Sequence, residues 1–243
     1  MSETNVKSSV VLPECWTLAE QVIGNSDRVL LYGVPGTGKS YQATLYNLKQ
    51  KQEVLTTTLT EDGSAMELRG HYVPNDNNGM DWIHGTAVQA WLKGARLVLN
   101  EIDHASGDVL TFLHNILDDK EFAGMTLPNT KQEQVKPKQS FNVVATMNGT
   151  PDVLPLALRD RFPVKIHIDR IHPSAIAKLP TKYRVACDTL SIITDEDRRT
   201  SVRSWFEFAK LVKDMPEHVA AKCVFGSRAD DILDTLENLK AKS

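Results

Sequence analysis

Cysteine is scarce in this chain. Cys15, Cys187 and Cys223 are odd in number and widely scattered, which argues against a disulfide framework and for three reduced thiols. Long apolar runs are missing as well. Stretches such as Val29-Leu30-Leu31-Tyr32 fall far short of the ~20 residues that cross a bilayer. The opening Met-Ser-Glu-Thr-Asn has neither the basic nor the apolar segment of a secretory leader, so the expectation is a cytoplasmic protein with no membrane association. An excess of positive charge is absent too. Lys and Arg number 28 against 31 Asp and Glu, a net charge of −3, which does not suit a protein that grips nucleic acid by bulk charge. The seven histidines form no His-Glu-x-x-His and have no close cysteines, so no structural metal centre is expected.

What is present is an ordinary globular mixture. Of 243 residues, 41% are hydrophobic and 24% charged, enough for a substantial domain and a smaller companion. Strand-like apolar runs alternate with helical patterns, the signature of a parallel α/β sheet. The runs are 28–32, 53–59, 96–99, 141–146 and 164–168. Helices are expected over 39–49, 86–92 and 106–118. In the last, Val109, Leu110, Phe112, Leu113, Ile116 and Leu117 share one face behind a Ser106 N-cap. Asp76-Asn77-Asn78-Gly79 reads as a hairpin tip, and 130–139 as a polar loop or second hairpin. Beyond about residue 170 only helical patterns remain, over 201–213 and 229–240 and more weakly over 183–191. The expected layout is an α/β domain over 1–170 and a helical domain over 171–243.

The chemistry concentrates where the first strand meets the first helix. Gly33-Val34-Pro35-Gly36-Thr37-Gly38-Lys39-Ser40 fits G-x-x-x-x-G-K-[ST], a loop whose glycines turn backbone N–H groups around a phosphate. Lys39 suits the β- and γ-phosphates and Ser40 a Mg²⁺ ion; the following Tyr41 completes the candidate nucleotide-binding stretch. The apolar run Leu97-Val98-Leu99 ends in Asn100-Glu101. Glu101 could polarise an attacking water, and Asn100 stands at the metal-supporting position as an amide without charge. Ala145-Thr146-Met147-Asn148 ends the fourth strand, beside the third in a parallel sheet, where ligands bind; Asn148 could bond the γ-phosphate or the water. Arg159 and Arg161 precede the last strand and suit a phosphate on a neighbouring subunit. Arg203, at a helix start, could fold onto the γ-phosphate. Each has a plainer reading: a surface carboxylate for Glu101, a turn before Gly149 for Asn148, pairing with Asp152 or Asp160 for the two arginines, and a solvated helix start for Arg203.

This set, in this order, resembles an AAA+ ATPase of the MoxR-like and dynein-related branch, which includes the NorQ, CbbQ and CobS types. Leu59-Thr60-Glu61-Asp62 through Val73, Trp82–Val88, Asn100-Glu101-Ile102-Asp103-His104-Ala105, Leu110–Asp119 and Asp160-Arg161-Phe162 are similar to the family's stretches. The resemblance implies a P-loop NTPase fold with a five-stranded parallel sheet and a small helical lid. It makes Gly33–Ser40 Walker A, the stretch ending in Glu101 Walker B and Asn148 sensor 1. Arg159 and Arg161 become arginine-finger candidates and Arg203 sensor 2. It further implies Mg-ATP hydrolysis between the subunits of a homo-oligomeric ring, usually a hexamer, that remodels a client protein, often one with a von Willebrand factor A domain. The family usually has Asp where this chain has Asn100, so a nucleotide-gated scaffold with little hydrolysis is a second expectation. A nucleic-acid motor on the same core is a third, and is disfavoured by the charge balance.

Overall fold

A computed structural model of the chain describes residues 12–48, 52–193 and 199–240. The α/β unit takes 18–34 and 39–168; the helical unit takes 12–17, the loop tip Pro35–Gly38 and the described residues from Asp169 onward. The first helix, α1 (Glu14–Val22), crosses from one assignment to the other.

In the α/β unit, five strands form one parallel sheet: β1 (Arg28–Tyr32), β2 (Val54–Thr58), β5 (Arg96–Asn100), β8 (Asn142–Thr146) and β9 (Val164–His167), in the order β2-β5-β8-β1-β9. β5 and β8 are buried along their whole length, which is why they read as continuous apolar runs without alternation. β2 and β9 lie at the edges, and their burial is broken. Two antiparallel hairpins stand outside the sheet. β3 (Gly70–Pro74) and β4 (Met80–His84) pair with Tyr72 opposite Trp82, with the expected turn between them. β6 (Met125–Thr126) and β7 (Gln134–Val135) form the second, so the 130–139 stretch contributes only a two-residue strand.

The helices of this unit are α2 (Lys39–Ala43), α3 (Ala65–Arg69), α4 (Thr86–Lys93), α5 (Gly107–Ile116) and α6 (Leu156–Asp160). Ser106 caps α5 as its periodicity implies, accepting from the Val109 N–H at 3.2 Å. α2 is shorter than expected. It ends at Ala43, runs on through turns and reaches Asn47 at φ 44°; Lys49, the expected end, lies outside the described residues. The cause is Arg96 on β5, fully buried, whose guanidinium donates to the carbonyls of Ala43 (3.2 Å), Tyr46 and Asn47 (3.1 Å). A cation at a helix C-terminus satisfies carbonyls that the helix itself cannot. Burial lowers the Arg96 pKa to about 10.

The helical unit contains α7 (Pro173–Ile176), α8 (Thr181–Ser191), α9 (Val202–Leu211), α10 (Glu217–Phe225) and α11 (Ala229–Lys240). Its core is aromatic: Tyr183, Trp205 and Phe208 are buried together, with Phe225 packed on them. Among the described residues no helix is long and apolar enough to cross a membrane.

Candidate functional site

β1 delivers the chain into a turn that only glycine tolerates. Gly33 has φ +126°, and a Cβ there would stand 2.6 Å from the Ile168 carbonyl oxygen. Gly36 and Gly38 are also at positive φ, +81° and +102°. This lets successive amides turn to one side, the geometry that makes an anion nest. The tip is held within the helical unit: the His172 N–H donates to the Thr37 carbonyl at 3.2 Å, and Ser201 lies against Gly36.

Lys39, 6% exposed, opens α2. Its ammonium donates to the carbonyls of Gly33 (3.0 Å) and Val34 (2.7 Å) and reaches Asn148 Oδ1 at 3.3 Å. Next to it, Ser40 Oγ lies 3.4 Å from Thr146 Oγ1, and Thr146 donates to Asn100 Oδ1 at 3.0 Å. The sheet register explains the meeting. Leu99 pairs with Ala145, so Asn100 and Thr146 come one step later at the C-terminal ends of neighbouring parallel strands. Side chains at one register position share a face, and α2 carries Ser40 to it. The fold thus brings together Lys39, Ser40, Asn100 and Asn148 beside the C-terminal ends of the strands, where ligands bind in open α/β sheets.

Glu101 follows as an exposed residue at φ 56°, ψ 49°. The left-handed region is uncommon for a residue with a Cβ, and such outliers gather at functional sites. Asp103, two residues on, has its Oδ1 buried without a hydrogen-bond partner among the described residues.

The arginines divide. Arg159 Nη1 is paired with Asp152 at 2.7 Å, the plainer reading given above. Arg161 donates from Nε to the His114 carbonyl (3.1 Å) and from Nη1 to the Ala157 carbonyl (2.9 Å), with no carboxylate within ion-pair distance among the described residues. Arg203 is exposed in the first turn of α9, whose N-cap is Ser201; it belongs to the other unit. Tyr41 is exposed beside Ser40 on α2. Sequence reasoning missed Thr146 and Arg96. A hydroxyl two positions before Asn148, on the same face of an apolar strand, was the available signal for the first; a charged residue opening a buried strand was the signal for the second.

The AAA domain profile of the dynein-related subfamily matches residues 28–162, the stretch that carries every sequence-predicted site residue except Arg203. The chain belongs to that subfamily. This AAA domain is 28% identical to Midasin of Dictyostelium discoideum over 191 residues, 74% of this chain but 3% of that protein. It is also similar to an uncharacterized protein of Staphylococcus saprophyticus, 26% identical with 82% of each chain covered. A Staphylococcus haemolyticus relative is 27% identical with 88% covered. A solved structure of a candidate ATPase from Cytophaga hutchinsonii shares the fold, with a TM-score of 0.50, 18% identity, and 93% of this chain and 81% of that one aligned.

The residues present fit a phosphate chain with a divalent cation. The donor set is a buried ammonium, a loop of turned amides, and the neutral oxygens of Ser40 and Asn100. Mg²⁺ takes oxygen ligands, needs only one or two from protein, and keeps several waters.

Proposed function

We propose that this AAA domain binds and hydrolyses Mg-ATP at the Gly33–Ser40 loop and works as a ring of identical subunits that remodels a partner protein. One observation carries the reading: the buried Lys39 ammonium is tethered to the loop carbonyls and Asn148, next to the Ser40–Thr146–Asn100 chain of oxygens. Lys39 and the loop amides would hold the phosphates, with Ser40 and Asn100 on the cation side. The cation, when bound, supplies charge that offsets the charge of the phosphates. Glu101 would take a proton from water as the water oxygen bonds to the γ-phosphorus, and the β–γ bridging oxygen leaves with ADP. Asn148 would orient that water or the γ-phosphate.

Arg161 is our choice of finger for a neighbouring subunit. Arg159 is already paired with Asp152, whereas the partners of Arg161 among the described residues are backbone carbonyls. Arg203, by the resemblance, would act within its own subunit. The MoxR-like placement, a hexameric ring, a client with a von Willebrand factor A domain and a cytoplasmic setting are parts of the same proposal. Asn100 favours a second reading, a scaffold that assembles on ATP and turns it over slowly, because an amide brings no charge to the cation.

Calorimetric titration with ATP and ADP tests the first step. Lys39→Ala should weaken ATP binding by about tenfold or more, since a charge-assisted hydrogen bond is worth ~1.5–3 kcal/mol. Unchanged affinity would remove the loop from the account. Steady-state turnover measured beside affinity separates the enzyme from the scaffold.

A further inference from the structure

Asn100 poses a chemical problem that a carboxylate would not. The two ends of a carboxylate are the same, whereas an amide has a carbonyl end that accepts and an NH₂ end that only donates. Turned one way it can face a cation; turned the other way it repels one.

Thr146 sits where it can decide between them. It is 2% exposed, at the end of a strand that is buried throughout, and its β-branched side chain has little χ1 freedom. Its Oγ1 stands 3.0 Å from Asn100 Oδ1 and 3.4 Å from Ser40 Oγ, so the single hydroxyl spans the strand-end amide and the P-loop serine. A hydroxyl carries one proton. Either hydroxyl of the Ser40–Thr146 pair can donate, but with the Ser40 oxygen facing the cation side its proton is left for Thr146. Thr146 then accepts from Ser40 and spends its own proton on Asn100 Oδ1, and the three groups form a directed chain from Ser40 through Thr146 to Asn100.

We infer that Thr146 is a positioning residue that turns the carbonyl end of Asn100 toward Ser40, so that an amide can serve on the cation side of the site. The inference rests on the proposed nucleotide reading and deepens it. It has a consequence that a merely structural threonine lacks. The selector matters only while position 100 has two unlike ends. Replacing Asn100 by Asp makes the ends alike, and the need for Thr146 lapses.

The test is a double-mutant cycle read by calorimetry with ADP as the probe, in saturating Mg²⁺ and in chelator. The readout is the ratio of the two affinities, which needs no turnover. With Asn100 in place, Thr146→Val should cut the Mg²⁺-dependent tightening by about three- to tenfold, the scale of one net hydrogen bond, and Thr146→Ser should keep it. In the Asn100→Asp background, Thr146→Val should change the ratio by less than about twofold, giving the non-additivity expected of coupled groups. An equal loss in both backgrounds, no loss with Asn100, or no Mg²⁺ effect in the wild type overturns the inference while leaving nucleotide binding intact. A wild type that binds no ADP under either condition overturns the proposed function and this inference with it. Thermal unfolding is followed in parallel, and Thr146→Ala enters the same cycle should the valine variant not fold.

Discussion

Glu101 is an exposed carboxylate in the left-handed region, at φ 56°. A residue with a Cβ is held there at a cost of order 1 kcal/mol, which the surrounding fold must overcome. The local structure does so on both sides of it. β5 ends in the buried Asn100, and the Glu101 carbonyl accepts from the His104 N–H at 2.9 Å to start a short 3₁₀ turn. The strain has a use if the carboxylate must stand at the strand end to meet a water. Two substitutions then separate backbone from chemistry. Glu101→Gln keeps the strain and removes the base; it should leave stability within about 0.5 kcal/mol of wild type and abolish most turnover while retaining ATP binding. Glu101→Gly removes both. It should be more stable than Glu101→Gln by up to about 1 kcal/mol in urea denaturation, and equally inactive. A glycine variant less stable than the glutamine variant would show that the side chain, and not the backbone, is what the fold holds in place.

Elements were legible in the chain to different degrees, for physical reasons. All five sheet strands lie within a residue or so of where their apolar runs put them, because strands buried on both faces leave a continuous signal. α5 was visible through its apolar face and its Ser106 cap, and α9 through its helical pattern. α2 misled, since its pattern continues past Ala43 while the helix does not. The agent that ends it, Arg96, is more than 45 residues away in sequence, and no window around α2 contains it. α10, with mixed polar and apolar faces, and the two-residue strands of the second hairpin carried too little periodicity to read. Within the site, the P-loop, Asn100 and Asn148 were legible from motif and strand end. The role of Thr146 depends on the register between β5 and β8, which the sequence does not display.

α7 offers a test at the scale of one element. His172 caps it, with Nδ1 accepting from the Ser174 N–H at 3.1 Å, and the ring packs edge-on against Trp16 at 5.0 Å between centroids. Burial lowers the His172 pKa below its ordinary 6.5. The folded state therefore binds the proton less readily than the unfolded chain. The contribution of the neutral ring is complete above pH 6.5, and is lost as pH falls through the depressed folded-state value. Urea denaturation at pH 7.5 and about pH 5 should show wild type losing stability on acidification. His172→Asn, which can still cap α7, should lose less over the same interval. Equal losses would place the proton uptake elsewhere.

At the scale of the whole molecule, the chain forms an α/β unit with the catalytic candidates and a helical unit with its own aromatic core. Arg203 belongs to the second. Arg161 belongs to the first, where among the described residues it is bonded to the carbonyls of His114 and Ala157 and to no P-loop residue. In the proposed function Arg161 serves the phosphates that another copy presents to it, where such a finger is worth ~10³–10⁵ in rate. A repeating head-to-tail contact of this kind closes into a ring when its rotation permits. The most direct measurement mixes two variants, Lys39→Ala and Arg161→Ala, each expected to turn over ATP poorly alone. With free exchange of subunits, about a quarter of the contacts in an equimolar mixture join an intact P-loop to an intact finger. The account predicts that turnover per subunit rises well above either variant alone, toward about a quarter of wild type. Turnover that stays at the level of the separate variants, while subunit exchange is shown to occur, would contradict it.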